Sequence, residues 1–216
     1  MANRLALPPL YVILDAALLS SEATELLKLL MGAGARLFQY RNKTASAREL
    51  LHAAQALTLT ARQENAILIV NDRPDIARLA GSNGVHVGQE DVRVEAARAM
   101  VGPQAMVGIS THNMEQFERA QGSEADYIAV GPVFETRSKA NPDPLVGLDL
   151  IRRARQRTTK PIVAIGGITL ERAASVMEAG ADCVAVISDI LTARNPVARV
   201  KHYLEVLPAA AGSAGN

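Results

Sequence analysis

The chain has 216 residues, 49% hydrophobic and 21% charged, a balance that excludes a disordered chain and fits one large domain or two small ones. Its 23 Lys and Arg against 22 Asp and Glu leave a formal net charge of +1, which excludes a strongly basic nucleic-acid binder. One cysteine excludes an intrachain disulfide framework and a multi-cysteine zinc centre, and an aromatic content of 3% without tryptophan argues against stacking platforms for single strands.

Residues 5–19 are rich in apolar side chains, but Pro8, Pro9 and Asp15 interrupt them and no small-residue cleavage site follows. No apolar run approaches the ~20 residues needed to cross a bilayer. The expectation is a cytoplasmic protein whose partners are small molecules, not nucleic acid or membrane; the sequence does not set monomer against homo-oligomer.

Short β-branched apolar runs follow at 10–15, 37–41, 66–72, 84–88, 106–110, 127–131, 161–166 and 183–188. Between them lie stretches with apolar positions at helical spacing, among them 21–31, 45–63, 113–121 and 170–179. Met31-Gly32 and Ala179-Gly180 have the glycine that commonly ends a helix. The runs show little polar alternation, as parallel strands covered on both faces require. Eight strand–helix units without a composition break predict a single (β/α)8 TIM barrel over residues 1–208, with short helices around the third and fourth strands. A doubly wound open sheet is the competing architecture. Residues 209–216, small and polar, read as a frayed tail.

Nearly every run finishes in polar or small residues, and in a parallel barrel those ends converge on the C-terminal rim, where catalysis is built. Asp72 ends the third run and Asp91 follows the fourth. Neighbouring strands are ~4.8 Å apart, so the two carboxylates could share one hard cation, such as magnesium on a diphosphate; equally, each could cap the helix that follows. Arg41 and Lys43 alternate along a strand end with Gln39 in the same phase, a pattern that suits a polyanion or, alternatively, a solvated surface pair.

Gly166-Gly167 and Ile187-Ser188 can present bare backbone N–H groups after the seventh and eighth strands, the usual phosphate grip of this architecture; tight turns needing glycine are the alternative. Residues 132–146 form the longest connection, punctuated by proline, and read as a lid carrying Thr136, Ser138 and Lys139 for phosphate oxygens, with a tolerated surface insertion as the alternative. Cys183 reads as a core residue within a strand, His86 as a satisfied core histidine or, alternatively, one pointing into the barrel, and His52 and His202 as surface residues on helices. His112 lies on the rim without a partner for a nucleophilic triad.

Seven segments together resemble the thiamine-phosphate synthase family, over residues 11–191: Gln39-Tyr40-Arg41-Asn42-Lys43, Val70-Asn71-Asp72-Arg73, the stretches 84–91, 108–113 and 126–134, Ala164-Ile165-Gly166-Gly167-Ile168 and Ala185-Val186-Ile187-Ser188. The resemblance implies a (β/α)8 enzyme that joins 4-amino-5-hydroxymethyl-2-methylpyrimidine diphosphate to a thiazole phosphate, releasing diphosphate. It implies that Gln39, Tyr40, Arg41, Asn42, Lys43 and Asn71 hold the pyrimidine diphosphate, that Asp72 and Asp91 hold Mg2+, and that Ser110 and Lys139 contact the diphosphate. Thr136, Arg137 and Ser138 of the lid, with Gly167, Ile187 and Ser188, would bind the thiazole phosphate. Arg41, Lys43, Ser110 and Lys139 would then carry the electrostatic part of a dissociative substitution, which needs no protein nucleophile.

The chain departs from the family pattern at Asn42, where an acidic residue is common, at Glu135, where proline is frequent, and at Ser138, where threonine is. Two other readings compete: a thiazole tautomerase-like barrel, which would need the phosphate half but no magnesium pair, and a non-catalytic sensor of phosphorylated ligands.

Overall fold

A computed structural model describes residues 5–19, 21–136 and 144–208. The strands are β1 (Leu10–Asp15), β2 (Leu37–Arg41), β3 (Ile67–Asn71), β4 (Gly84–Val87), β5 (Met106–Thr111), β6 (Tyr127–Val130), β7 (Ile162–Ile165) and β8 (Cys183–Val186). Each pairs in parallel with the next, and β8 pairs with β1, so the sheet closes into a barrel. The helices are α1 (Ala23–Gly32), α2 (Ala47–Gln63), α3 (Pro74–Ala80), α4 (Val94–Val101), α5 (Met114–Gln121), α6 (Gly147–Arg155), α7 (Leu170–Glu178), α8 (Ser188–Leu191) and α9 (Pro196–Val206). The closed barrel settles the architecture against the open sheet.

Strand side chains alternate between two cores, which is why the runs look apolar throughout. Val12, Leu14, Phe38, Leu68 and Val70 face outward and pack beneath the helices. Tyr11, Ile13, Leu37, Ile69, Val163 and Ala185 face inward and fill the barrel. Cys183, a fully buried member of that inner core, is the structural residue its position suggested, and burial pushes its thiol up.

Element ends follow local chemistry. The 45–63 stretch becomes helical only at Ala47, because Ser46 takes the N-cap: its hydroxyl accepts from Glu49 N, while the Glu49 carboxylate accepts from Ser46 N. Such a reciprocal cap is worth about 1 kcal/mol. β3 stops at Asn71, one residue earlier than the apolar run, because Asp72 turns to φ +60° and cannot extend a strand. β7 is confined to Ile162–Ile165 by Pro161, which has no N–H for the ladder, and by Gly166 at φ +100°. α3 and α4 have seven and eight residues, the short helices expected there.

At the N-terminal face two carboxylates tie strand starts to helices. Asp126 accepts from Val107 N at 2.7 Å and pairs with Arg98 of α4; Asp182 accepts from Ile162 N at 2.8 Å and pairs with Arg155 of α6. These contacts belong to stability and leave the opposite rim free for binding.

Candidate active site

A cavity of about 570 Å3 opens at the C-terminal rim. Arg41, Asn71 and Ser110 line one side; Gly167, Ile187 and Ser188 line the other; Gln39 lies at its base and Thr136 at its edge. Residues separated by nearly 150 positions therefore meet in one bowl, as the strand ends predicted.

The cationic side is built on β2. Gln39 and Arg41 share the inward phase, and the Arg41 guanidinium pairs with Asp15, its register partner on β1. Asp15 is 4% exposed and also accepts from Ala17 N at 3.1 Å, so it is a fixed counter-charge that aims Arg41. Tyr40, in the opposite phase, turns its side chain into the outer core, where its hydroxyl accepts from Asn42 Nδ2 at 3.3 Å. The Asn42 carbonyl oxygen accepts from Thr44 N and Ala45 N and shapes the turn before α2. Neither of these two side chains is among those that line the cavity.

Lys43 and the two aspartates sit beside the bowl. Asp72 donates its N–H to His86 O at 2.7 Å, which holds the left-handed turn in place. Its carboxylate pairs with Lys43 and lies against that of Asp91. Asp91 is anchored by Gly88 N, 2.7 Å from its Oδ2. Burial first, and then the Asp72 carboxylate, raise the Asp91 carboxyl above its ordinary value. Two acidic groups held in contact at a rim, with Lys43 the cation set against them among the described residues, form a donor pair that a hard cation would relieve. Among the described residues no three Asp, Glu, His or Cys side chains cluster. A cation here would take most of its oxygens from ligand and water, the habit of magnesium.

The opposite side is made of backbone. Gly166 and Gly167 have φ +100° and +62°, and a Cβ on Gly167 would lie 2.2 Å from Glu135 O. Only glycine lets this turn pass under residues 133–135, which are stitched to β7 by Val133 N→Ile165 O (2.9 Å) and Phe134 N→Gly166 O (3.0 Å). Arg172 closes the junction, donating to Gly167 O at 2.9 Å and lying 4.7 Å above the Phe134 ring. Asp189, beside Ser188, accepts from Leu170 N and Tyr203 OH at 3.2 and 2.7 Å and ties α8 to α7 and α9. Arg137, Ser138 and Lys139 of the expected lid lie outside the described residues.

Sequence reasoning missed Tyr11 and Arg172 as lining residues, and the core histidine His86 is also part of the cavity floor. The missed signal was parity: Tyr11 and His86 occupy the inward phase of their strands, as Gln39 does. His112 lines the rim, with Nδ1 2.6 Å from Gly131 O.

A parallel barrel whose rim gathers an arginine, a carboxylate pair and a glycine turn about one cavity has the build of an enzyme acting on small molecules. The particular relationship is closer: the chain belongs to the thiamine monophosphate synthase family, whose sequence model matches residues 10–190. It is 50% identical over 212 residues to the thiamine-phosphate synthase of Koribacter versatilis, covering 96% of this chain and 99% of that one. With the thiamine-phosphate synthase of Myxococcus xanthus it shares 43% over 176 residues, 82% and 81% of the two chains. The solved thiamine phosphate pyrophosphorylase from Pyrococcus furiosus superposes with a TM-score of 0.83 at 30% identity, over 91% of this chain and 94% of that one.

Proposed function

We propose that the chain is a magnesium-dependent thiamine-phosphate synthase, a transferase that moves the pyrimidinylmethyl group of 4-amino-5-hydroxymethyl-2-methylpyrimidine diphosphate onto the ring nitrogen of a thiazole phosphate. The observation that carries this reading is the meeting, in one cavity, of Arg41, Asn71 and Ser110 on one side with Gly167, Ile187 and Ser188 on the other. Two anionic substrates need two anion sites within one bond-forming distance, and family membership supplies their identity. Both substrates are small and water-soluble, which fits a cytoplasmic enzyme.

The carbon–oxygen bond to the diphosphate ionises, the leaving oxygens take the electron pair, and the thiazole nitrogen attacks the exposed methylene carbon. No proton need be removed by a nucleophile's base, so the chain's work is positioning and charge stabilisation. Arg41, held by Asp15, and Lys43, held by Asp72, meet the growing negative charge, with Lys139 from the lid as a third cation. Gln39 and Asn71 orient the pyrimidine end, and Ser110 donates to the diphosphate. Gly167, Ile187 and Ser188, with Thr136, Arg137 and Ser138, receive the thiazole phosphate. Asp72 and Asp91 would hold the magnesium ion, which supplies Lewis-acid neutralisation of the departing oxygens.

Incubating the purified protein with both substrates and magnesium should release thiamine phosphate and diphosphate in equal amounts; turnover of a thiazole phosphate alone, or binding without product, would reject the reading. A narrower outcome concerns the turn. Gly167→Ala places a Cβ at φ +62° and against Glu135 O, and the left-handed conformation alone costs about 1–2 kcal/mol. Steady-state kinetics should show KM for the thiazole phosphate raised about tenfold or more, with KM for the pyrimidine diphosphate little changed.

A further inference from the structure

Beneath the cavity runs a chain of side chains that joins Gln39 to Ser110 through three residues to which no binding role has been given. Gln39 Nε2 donates to Tyr11 OH at 2.8 Å, Tyr11 OH lies 3.2 Å from Tyr127 OH, Tyr127 OH lies 3.0 Å from His86 Nδ1, and His86 Nε2 lies 2.8 Å from Ser110 Oγ. Five strands contribute one member each, and both ends reach the cavity. Their neighbours in the inner core, among them Ile13, Leu37, Ile69 and Val163, are apolar, so these groups are retained at the desolvation cost of buried polar atoms.

The packing is arranged around the chain. The His86 and Tyr127 rings stack at 5.5 Å, and the Tyr11 ring meets Tyr127 edge-on at 6.2 Å. Gly108, the register neighbour of both His86 and Tyr127, leaves the space that the tyrosine fills: a Cβ there would lie 2.1 Å from Tyr127 Cζ. Tyr127 therefore reaches across β5 to His86 only because residue 108 has no side chain.

Gln39 gives an N–H to the Tyr11 oxygen, and the distances then admit a run in which Tyr11 donates to Tyr127 and Tyr127 to His86 Nδ1, as well as its reverse from His86 to Tyr11. The first run is the one that suits a reaction without a protein nucleophile. Burial keeps both phenols protonated, so each has one proton to pass on as a hydrogen bond. An imidazole that accepts at Nδ1 carries its hydrogen on Nε2, and that hydrogen points at Ser110 Oγ. With its oxygen accepting from His86, Ser110 turns its own proton away, into the cavity.

We propose that the buried chain Gln39–Tyr11–Tyr127–His86–Ser110 is a positioning device: it fixes His86 as the Nε2–H tautomer and so makes Ser110 a hydrogen-bond donor to the leaving diphosphate. The functional half of this statement rests on the thiamine-phosphate synthase reading; the tautomer does not. The opposite polarity would make His86 the base of an activated serine, a role the reaction does not need. His86, Tyr127 and Tyr11 are thus positioning residues that act through Ser110.

The test joins a spectroscopic readout to kinetics. In the full-length protein with 15N-labelled histidine, the ring resonances of His86, assigned by their loss in His86→Gln, should report a neutral Nε2–H imidazole. Tyr127→Phe, which keeps the ring in place beside Gly108, should shift that signal toward Nδ1–H. It should also lower kcat about tenfold, with KM for the pyrimidine diphosphate changed less than about twofold. His86→Gln, whose amide can still donate near Ser110, should retain more activity than His86→Leu. A wild-type Nδ1–H tautomer, or a Tyr127→Phe protein with unaltered tautomer and kcat, overturns the proposal. If the unaltered protein makes no thiamine phosphate while the Nε2–H signal and its response to Tyr127→Phe are present, the functional reading and the role given to Ser110 fail, and the hydrogen-bond polarity stands.

Discussion

Asp91→Asn should fold and turn over about a hundredfold or more slowly. The asparagine carbonyl can still accept from Gly88 N, which donates to Asp91 Oδ2 at 2.7 Å, so the rim loop keeps its anchor. What disappears is one of the two charges that would hold magnesium against the diphosphate. Lewis-acid stabilisation of a leaving group is worth several kcal/mol, and each ~1.4 kcal/mol is a factor of ten in rate. Asp72→Asn should behave alike, with the added consequence that Lys43 loses its counter-charge. Titrating magnesium separates this from a structural defect: both variants should require more metal for half-maximal rate, and chelation should silence the wild type reversibly. Undiminished turnover of either variant at low magnesium would sink the shared-metal assignment. Relief of the contact between the two carboxylates should also leave thermal stability without metal equal to or above that of the wild type, since burial and Asp72 already disfavour the charged form of Asp91.

The readable part of this molecule was its periodic part. Eight apolar runs with capped helices between them define a barrel because both faces of every strand are covered, as Val12 and Ile13 are by the outer and inner cores. The rim was readable for the same reason: polar residues at the ends of parallel strands have one place to go. The sequence could not show which of two neighbouring polar residues faces in when both suit the chemistry. Tyr40 and Asn42 lie beside Arg41 and Lys43 and are polar as they are, yet strand phase sends the Tyr40 ring outward and a turn claims Asn42. The floor escaped for the opposite reason. Tyr11, His86 and Tyr127 sit inside apolar runs that read as core, and their hydrogen-bond partners are up to 116 residues away, so only closure of the barrel brings them together. Asp189 was visible at a strand end, but its service to Leu170 N and Tyr203 depends on how α7 and α9 pack, which no local pattern encodes.

The pairing of Arg41 with Asp15 yields the other large effect, and it divides stability from catalysis. The Asp15 side chain is 5% exposed and that of Arg41 20%, so Arg41→Ala strands a buried carboxylate. Removing one partner of such a pair typically costs about 3–5 kcal/mol, and the lower half of that range fits here because the arginine is partly wet. The same substitution removes a cation from the proposed diphosphate site, for which a loss of roughly a hundred- to a thousandfold in kcat is expected. Asp15→Ala/Arg41→Ala removes the stranded charge together with its partner. Denaturant unfolding should find the double variant more stable than Arg41→Ala alone, whereas its kcat should remain as low. Asp15→Asn, which keeps the bond from Ala17 N but frees the guanidinium to wander, should chiefly raise KM for the pyrimidine diphosphate. If the double variant recovered activity along with stability, Arg41 would be a structural residue and the diphosphate would have to be held without it. If instead all three variants unfolded like the wild type, the pair would be too well solvated to aim anything, and the preorganisation ascribed to the cationic side would be lost with it.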